Sequence, residues 1–371
     1  MTDPAYPLAP QIVTVFGGSG FVGRAVVAAL ARKNYRIRVA VRRPNTAGNV
    51  QPYGFPGQIH AVQANLRFPD SVERAVRGAA AVVNLVGILQ PRGKQAFEAV
   101  HAAGARCVAE AAAAASARLI HMSALGADLA SESAYARTKA EGEAAVRAAA
   151  PDAVIFRPSV IFGPGDSFFN RFASLARMLP VMPLAGAEAR FQPVYVGDVA
   201  EAIARAVGGK APGGQAYELG GPEVRTLRQL VQYVLEVTGR RRRIIELPPT
   251  LARWQAGATE ILDFLTLGLM PREFVLTRDQ LKLLARDNVV SQEAKAEGRT
   301  LEGIGISPTA MEAIVPAYLT RFRKTGQFDL KRADFPSATP DDLAARSTGP
   351  GSGFHPGQDV GAATIGERTG R

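Results

Sequence analysis

The segment "VTVFGGSGFVGRAVVAAL", residues 13–30, sets the frame for the whole chain. A short β-branched run ends at Phe16, glycines follow at 17, 18, 20 and 23, and a helical pattern rich in Val and Ala begins at once. At a strand–helix junction such glycines have separate tasks: a tight turn, a backbone near enough to touch a pyrophosphate, and close packing of helix on strand. The helix N-terminus adds free N–H groups and a partial positive charge. Gly17, Gly18, Ser19, Gly20, Phe21 and Gly23 are thus the candidate phosphate cradle of a dinucleotide site. The alternative is a purely structural glycine turn.

Further along, "IVTVF" (12–16), "RIRVAV" (36–41), "QIHAVQA" (58–64), "AAVVNLVG" (80–87), "ARLIHMS" (117–123) and "AVIFRPS" (153–159) read as strands. Helical patterns occupy 20–33, 69–77, 94–115 and 135–149. This alternation predicts an α/β fold, a doubly wound parallel sheet of the Rossmann kind with helices on both faces. The nearly unbroken apolar character of the strands fits burial on both sides. After residue 160 the rhythm changes: a turn at "FGPGD", a helix over 167–179, a strand leading into a helix over 191–207, a strand at 215–221 and a helix over 226–239. Residues 240–330 read as mainly helical and basic. The expected division is an N-terminal extension (1–10), a nucleotide-binding domain (11–180, with sheet elements recurring to about 240), a smaller C-terminal portion (181–330) and a disordered tail (331–371) rich in Pro, Gly, Ser and Thr.

Composition narrows the function classes. A chain of 371 residues with 47% apolar side chains can bury a sizeable core. The single cysteine, Cys107, excludes an internal disulfide framework and a cysteine-based zinc site, and fits a reducing compartment. Four histidines (60, 101, 121 and 355) lack metal-ligand spacing, so no metal site is expected. His121, inside an apolar strand, reads as a buried polar group. The proline-rich start lacks the order of a secretory signal. No apolar run reaches the roughly 18 residues a membrane span needs; "ILDFLTLGLM" (261–270) is shorter and contains Asp263. The expectation is a protein without a transmembrane segment that lies against a membrane at most. The net charge of +11 belongs to residues 1–330, because five basic and five acidic residues cancel in the tail. Such a basic body suits nucleic acid, anionic lipid or an acidic protein. Aromatics do not interleave with the arginine run at 240–243 and no recognition module is visible, so no nucleic-acid partner is expected.

The second strand ends in "VAVRRP". NAD-preferring sites carry an acidic residue at this point to hold the ribose 2′-hydroxyl. Arg42 and Arg43 instead suit a 2′-phosphate through forked hydrogen bonds, which favours NADP(H), and NADPH as the cofactor. Two solvated arginines are the alternative. In "YARTK" (135–139), Tyr135 and Lys139 share one helix face. An ammonium beside a phenol lowers its pKa, so the tyrosine can exchange a proton while a nicotinamide exchanges hydride.

"GGSGFVG" (17–23), "YARTK", "RPSVIFGPGD" (157–166), "VYVGDVAEAI" (194–203) and "YELGGPE" (217–223) together resemble the extended or atypical branch of the short-chain dehydrogenase/reductase superfamily over residues 11–240. The resemblance implies that Tyr135 takes the catalytic-tyrosine position and Lys139 the position that binds the nicotinamide ribose. It places Asn65, with Leu66 after it, near the adenine, and lines the cofactor cleft with "NLVG" (84–87), including Val86 and Gly87. The superfamily's carbonyl-orienting Ser or Thr falls on Ala124, with Ser123 one place short, so Ser123 joins Tyr135 and Lys139 as catalytic only if the protein is an enzyme. Loss of such a donor costs on the order of 100-fold in rate.

A narrower resemblance runs over about residues 11–330. "RPSVIFGPGDSFFNRFASLARMLPVMPL" (157–184), "FQPVYVGDVAEAI" (191–203), "ELPPTLARWQA" (246–256) and "LTRDQLKLLARDNVVS" (276–291) are similar to the NADPH-binding accessory subunit of respiratory complex I and its bacterial homologues. That family implies a tightly held NADPH with a structural role and no turnover of its own. It also implies docking to complex I core subunits near the quinone site, and a peripheral place on the cytoplasmic face of the inner membrane, or the matrix side in a mitochondrion. The arginine run and Arg253, flanking an apolar segment with Trp254, suit a membrane interface or a protein groove at its edge. An ordinary helical domain with a solvated arginine face is the alternative. Two other functions remain open: a free-standing NADP-dependent reductase, dehydrogenase or sugar-nucleotide epimerase, and a soluble NADP(H)-sensing regulator.

Overall fold

Six apolar runs form the strands that the pattern predicts: β1 (Ile12–Phe16), β2 (Arg36–Val41), β3 (Ile59–Gln63), β4 (Ala81–Asn84), β5 (Arg118–Met122) and β6 (Val154–Pro158). The structure is a computed structural model and describes residues 11–91, 96–248, 250–252, 254, 257 and 277–323. The N-terminal extension, the segment "ILDFLTLGLM", Arg253 and the tail from 331 lie outside the described residues. A later strand, β7 (Ala216–Leu219), joins β6, giving a seven-stranded parallel sheet in the order β7-β6-β5-β4-β1-β2-β3. The chain therefore runs outward from β1 to β3 and returns to place β4 on the other side of β1. That reversal makes a crevice at the carboxyl ends of β1 and β4, where open α/β sheets bind ligands.

Side-chain alternation along the strands separates two apolar layers. Val13 and Val15 pack with Val26, Val27 and Leu30 of α1 (Phe21–Arg32) and with Val199 and Ile203 of α6 (Val196–Val207). Phe16 faces the other way, with Val72 and Val76 of α2 (Pro69–Val76), Val108 and Ala112 of α3 (Ala103–Ala114) and Val146 of α4 (Ala134–Ala149). Burying each Val or Leu side chain contributes roughly 1.5–3 kcal/mol. Thr14, polar and wholly buried, donates its hydroxyl to the Ala75 carbonyl at 2.8 Å.

Beyond β6 a second core forms. It brings α5 (Phe168–Met178), α7 (Leu227–Val237) and the helix Met311–Leu319 around Phe162, Phe169, Leu230, Val234 and Val315. The region read as mainly helical from 240 also holds a strand, Arg243–Glu246, paired in parallel with the strand Val181–Leu184. Its partner lies some sixty residues upstream, so local helical periodicity gives no warning of it. Among the described residues no helix is long and apolar enough to cross a membrane.

The glycine turn rests on one tight contact. A Cβ at position 23 would stand 2.2 Å from the Gly17 carbonyl oxygen and 2.6 Å from Gly18 backbone atoms. Gly23→Ala should therefore destabilise the protein by about 3 kcal/mol, the upper range for overpacking. Gly48→Ala, where a Cβ meets nothing within 4 Å, should stay within about 0.5 kcal/mol. Urea unfolding of both variants checks this; equal losses would show that the contact does not constrain the turn.

Candidate functional site

The crevice is built from the turns that follow β1 and β4. Gly17 has φ +79°, in the left-handed region that favours glycine. A Cβ on it would lie 3.3 Å from the Leu85 carbonyl carbon, so the two turns touch. At Gly20 a Cβ would meet only the Gly17 oxygen, at 3.3 Å, which leaves the start of α1 open on its outer side. A tight turn, an unencumbered backbone and a helix N-terminus together form a cradle that fits a pyrophosphate. Ser19 and Phe21 complete the loop. Sequence reasoning overlooked Arg24, one position past the last glycine. This half-buried side chain donates Nη1–H to the Ser19 carbonyl at 3.3 Å, and a Cβ on Gly165 of the "FGPGD" turn would lie 3.6 Å from its Nη2.

Arg42 and Arg43 follow β2 with exposed side chains, one strand away from the cradle; Gly17 N–H donates to the Ala40 carbonyl at 3.3 Å. Asn65 turns its carboxamide on its own backbone: Oδ1 accepts from Arg67 N–H at 3.2 Å. Leu66 packs against the second apolar layer and beside Gly104. Val86 packs against the same layer and donates its N–H to Asn84 Oδ1 at 3.2 Å.

The structure brings Gly87 and Lys139 together, with Ser123 next to the Met122 carbonyl that Lys139 holds, while the Tyr135 ring lies against His101. Lys139 is buried; Nζ donates to the Met122 carbonyl at 3.2 Å and would lie 3.3 Å from a Cβ on Gly87. Ser123 follows directly on β5 and is buried, and among the described residues its Oγ has no hydrogen-bond partner. Ala124 is half-buried beside it. Tyr135 does not behave as the Tyr–Lys spacing predicts. Burial pushes its phenol up to about 12, and no lowering by Lys139 offsets this. The lysine reaches the end of β5 instead. Burial also lowers Lys139 to about 8, against a raising influence from Glu143.

Two histidines flank the lysine. His121 is buried in β5 with Nδ1 3.3 Å from Asn84 Nδ2. His101 lies in a π-helical turn, Glu98–Ala102, inside what the periodicity predicts as one continuous helix. Its Nε2 accepts from Ile88 N–H at 3.0 Å, and its Nδ1 is 3.1 Å from Thr138 Oγ1. Its ring stacks on Phe97 and meets the Tyr135 ring edge-on, each at 5.4 Å.

The helix that carries Tyr135 is capped from far away. Asp279, in the short helix Arg278–Leu283, accepts from Ala134 N–H at 2.7 Å, Tyr135 N–H at 3.2 Å and Ser133 Oγ–H at 2.8 Å. A carboxylate at this end meets both the free N–H groups and the positive end of the helix dipole. Nothing local in the sequence signals a bond across 144 residues or more.

Burial, and secondarily the Lys139 charge, lower both histidines from 6.5 to about 3. In the unfolded chain they take up protons below about pH 6.5, whereas in the fold they stay neutral until about pH 3. The unfolded state thus binds more protons in that window, and stability falls as pH drops through it, by up to about 1.4 kcal/mol per pH unit for each histidine. Urea unfolding at pH 7.0 and 5.5 should show this fall, and His121→Gln should remove about half of it. Parallel pH dependences in the two proteins would contradict the assignment.

Comparison with known proteins bears on the fold and the family. Residues 13–220 match the NAD dependent epimerase/dehydratase family. The chain is 33% identical over 316 residues to the mitochondrial NADH dehydrogenase [ubiquinone] 1 alpha subcomplex subunit 9 of Rattus norvegicus, covering 84% of this chain and 80% of that protein. It is 39% identical over 189 residues to the ceramide reductase of Caulobacter vibrioides, covering 51% and 58%. Among solved structures, an NADPH-dependent quinone oxidoreductase from Escherichia coli, complexed with NADPH, shares the fold with a TM-score of 0.63 at 20% identity over 83% of this chain and 99% of that one. The chain belongs to the NAD dependent epimerase/dehydratase family and, within it, to the family of the NADH dehydrogenase 1 alpha subcomplex subunit 9 proteins.

Proposed function

We propose that this chain is an NADPH-binding, non-catalytic accessory subunit of a membrane-bound NADH:quinone oxidoreductase. The observation that carries the reading is the length of the match to the subunit 9 relative. It covers 316 residues, whereas the general family model ends at residue 220. The likeness therefore includes chain beyond the nucleotide fold. One departure supports a structural role for the nucleotide: Ala124 stands where the superfamily resemblance expects the donor that orients a carbonyl.

In this reading the turn from Gly17 to Gly23 holds the pyrophosphate, Arg42 and Arg43 the 2′-phosphate, Asn65 and Leu66 border the adenine, and Val86, Gly87, Tyr135 and Lys139 enclose the nicotinamide riboside. Bound NADPH would stabilise the native state with the logarithm of its free concentration over Kd, by about 2.7 kcal/mol at a hundred times Kd. The outward face near the second core suits core subunits near the quinone site and the membrane surface beside them. Arg243, Ile245 and Glu246 are exposed on the strand Arg243–Glu246, and Met178, Leu251 and Trp254 are exposed apolar groups, Trp254 at 80%. Such a mixture fits the cytoplasmic face of an inner membrane, or the matrix side in a mitochondrion.

A second reading is an NADPH-dependent reductase. The 39% identity to a ceramide reductase and the unpartnered Ser123 hydroxyl, next to the carbonyl that Lys139 holds, favour it. When bound, NADPH would supply hydride to a carbonyl carbon. Ser123 would then hydrogen-bond the carbonyl oxygen and Tyr135 would deliver the proton.

Two measurements test these readings. In gently solubilised host membranes the tagged chain should comigrate with NADH:quinone oxidoreductase activity, unaltered by Tyr135→Phe; recovery only as a small soluble species would sink the accessory reading. The double variant Arg42→Ala/Arg43→Ala should weaken NADPH binding roughly 10- to 100-fold, the loss of one or two charge-assisted contacts. NADH affinity should stay unchanged, and equal losses for both nucleotides would remove the 2′-phosphate assignment.

A further inference from the structure

We propose that His101 is a positioning residue of the nucleotide site, tying the cleft wall at Leu85–Ile88 to the turn of α4 between Tyr135 and Lys139. The role rests on the nucleotide-binding reading above. The tie is a directional chain. Ile88 N–H can only donate, so Nε2 at 3.0 Å is the acceptor nitrogen and the ring proton sits on Nδ1. Nδ1–H then donates to Thr138 Oγ1 at 3.1 Å, and the threonine hydroxyl donates to the Ala134 carbonyl at 2.8 Å. The same hydroxyl also lies 3.1 Å from the Tyr135 carbonyl, so the chain ends on the backbone of the first turn of α4. Burial keeps the imidazole neutral to about pH 3, so the chain persists over the ordinary pH range.

Packing places the ring where this matters. The π-helical turn Glu98–Ala102 widens the backbone around His101, a local irregularity that recurs at functional sites. Gly142 lets α4 approach: a Cβ there would stand 2.2 Å from the His101 carbonyl oxygen. The imidazole touches the Tyr135 ring on one side, and on another a Cβ at Gly87 would lie 3.7 Å from Nε2 and 3.3 Å from Lys139 Nζ. A shift of the 85–88 wall thus changes the space beside Lys139 itself. Simple space-filling would need only the ring; two hydrogen bonds of fixed direction need both nitrogens. This separates positioning from packing.

The test uses the purified full chain, fluorescence titration with NADPH and hydrogen–deuterium exchange of the peptide over 85–91. His101→Phe keeps the ring and loses both bonds, and Thr138→Val removes the far acceptor. Each should raise the NADPH Kd about tenfold and speed exchange at Ile88, the scale of one buried hydrogen bond. Because both act on one chain, the double variant should be no worse than His101→Phe alone. His101→Gln, which retains a donor and an acceptor, should recover most of the affinity. Unchanged affinity in folded His101→Phe, unchanged Ile88 exchange, or fully additive losses would overturn the proposal. Failure of the unaltered chain to bind NADPH would overturn the nucleotide reading and this role with it. That result is seen without any variant, while the exchange data would still report whether the tie exists.

Discussion

Helix α1 begins where it does because position 23 carries no side chain. Its backbone rests on the Gly17 carbonyl at a separation that no Cβ tolerates, and Gly17 in turn leans on Leu85 after β4. These contacts set the height of the helix above the sheet and the width of the crevice between the two central strands. The remaining parts of the site are measured from that point: β2 reaches it through Ala40, and Gly87 carries it onward to Lys139.

The floor of the crevice poses a different problem, a cation withdrawn from water. Lys139 has one carbonyl for a partner and two histidines for neighbours, and both histidines remain uncharged. A like charge on either would be costly at such depth. Glu143, one helical turn further on, is already engaged by Arg157 in a forked pair at 2.9 and 2.7 Å, which fastens α4 to β6. The electrostatics of the site thus depend on which groups stay neutral as much as on which are paired.

Much of the fold is legible in the sequence because its signals are local. The six predicted strands, the glycine turn and the helices around it each declare themselves within about ten residues. What escapes is non-local or irregular. The strand Arg243–Glu246 needs Val181–Leu184 beside it to become a strand; the π-helical turn at His101 depends on the close approach of α4. "RRRR" reads as a charged surface, yet Arg240 donates to the Phe322 carbonyl and Arg242 to that of Ala176, so two of the four guanidinium groups bind backbone. In the site, the glycines, Tyr135 and Lys139 follow from motif spacing, whereas Arg24, His101 and Asp279 acquire meaning only once the chain has closed on itself.

The Asp279 cap bears on how such a chain can be divided or recombined. By family matching alone, the nucleotide fold is complete at residue 220 and the rest is an appendage open to exchange. Yet the first two N–H groups of the helix bearing Tyr135 find their acceptor 144 residues or more downstream. A fragment ending at residue 220 would leave those donors to water at the wall of its own binding cleft. A transplanted C-terminal portion would have to deliver a carboxylate to the same point. The two halves therefore form one inheritable unit: Asp279 holds the helix, and Lys282 and Arg286 reach Glu132 and Asp128 just before it.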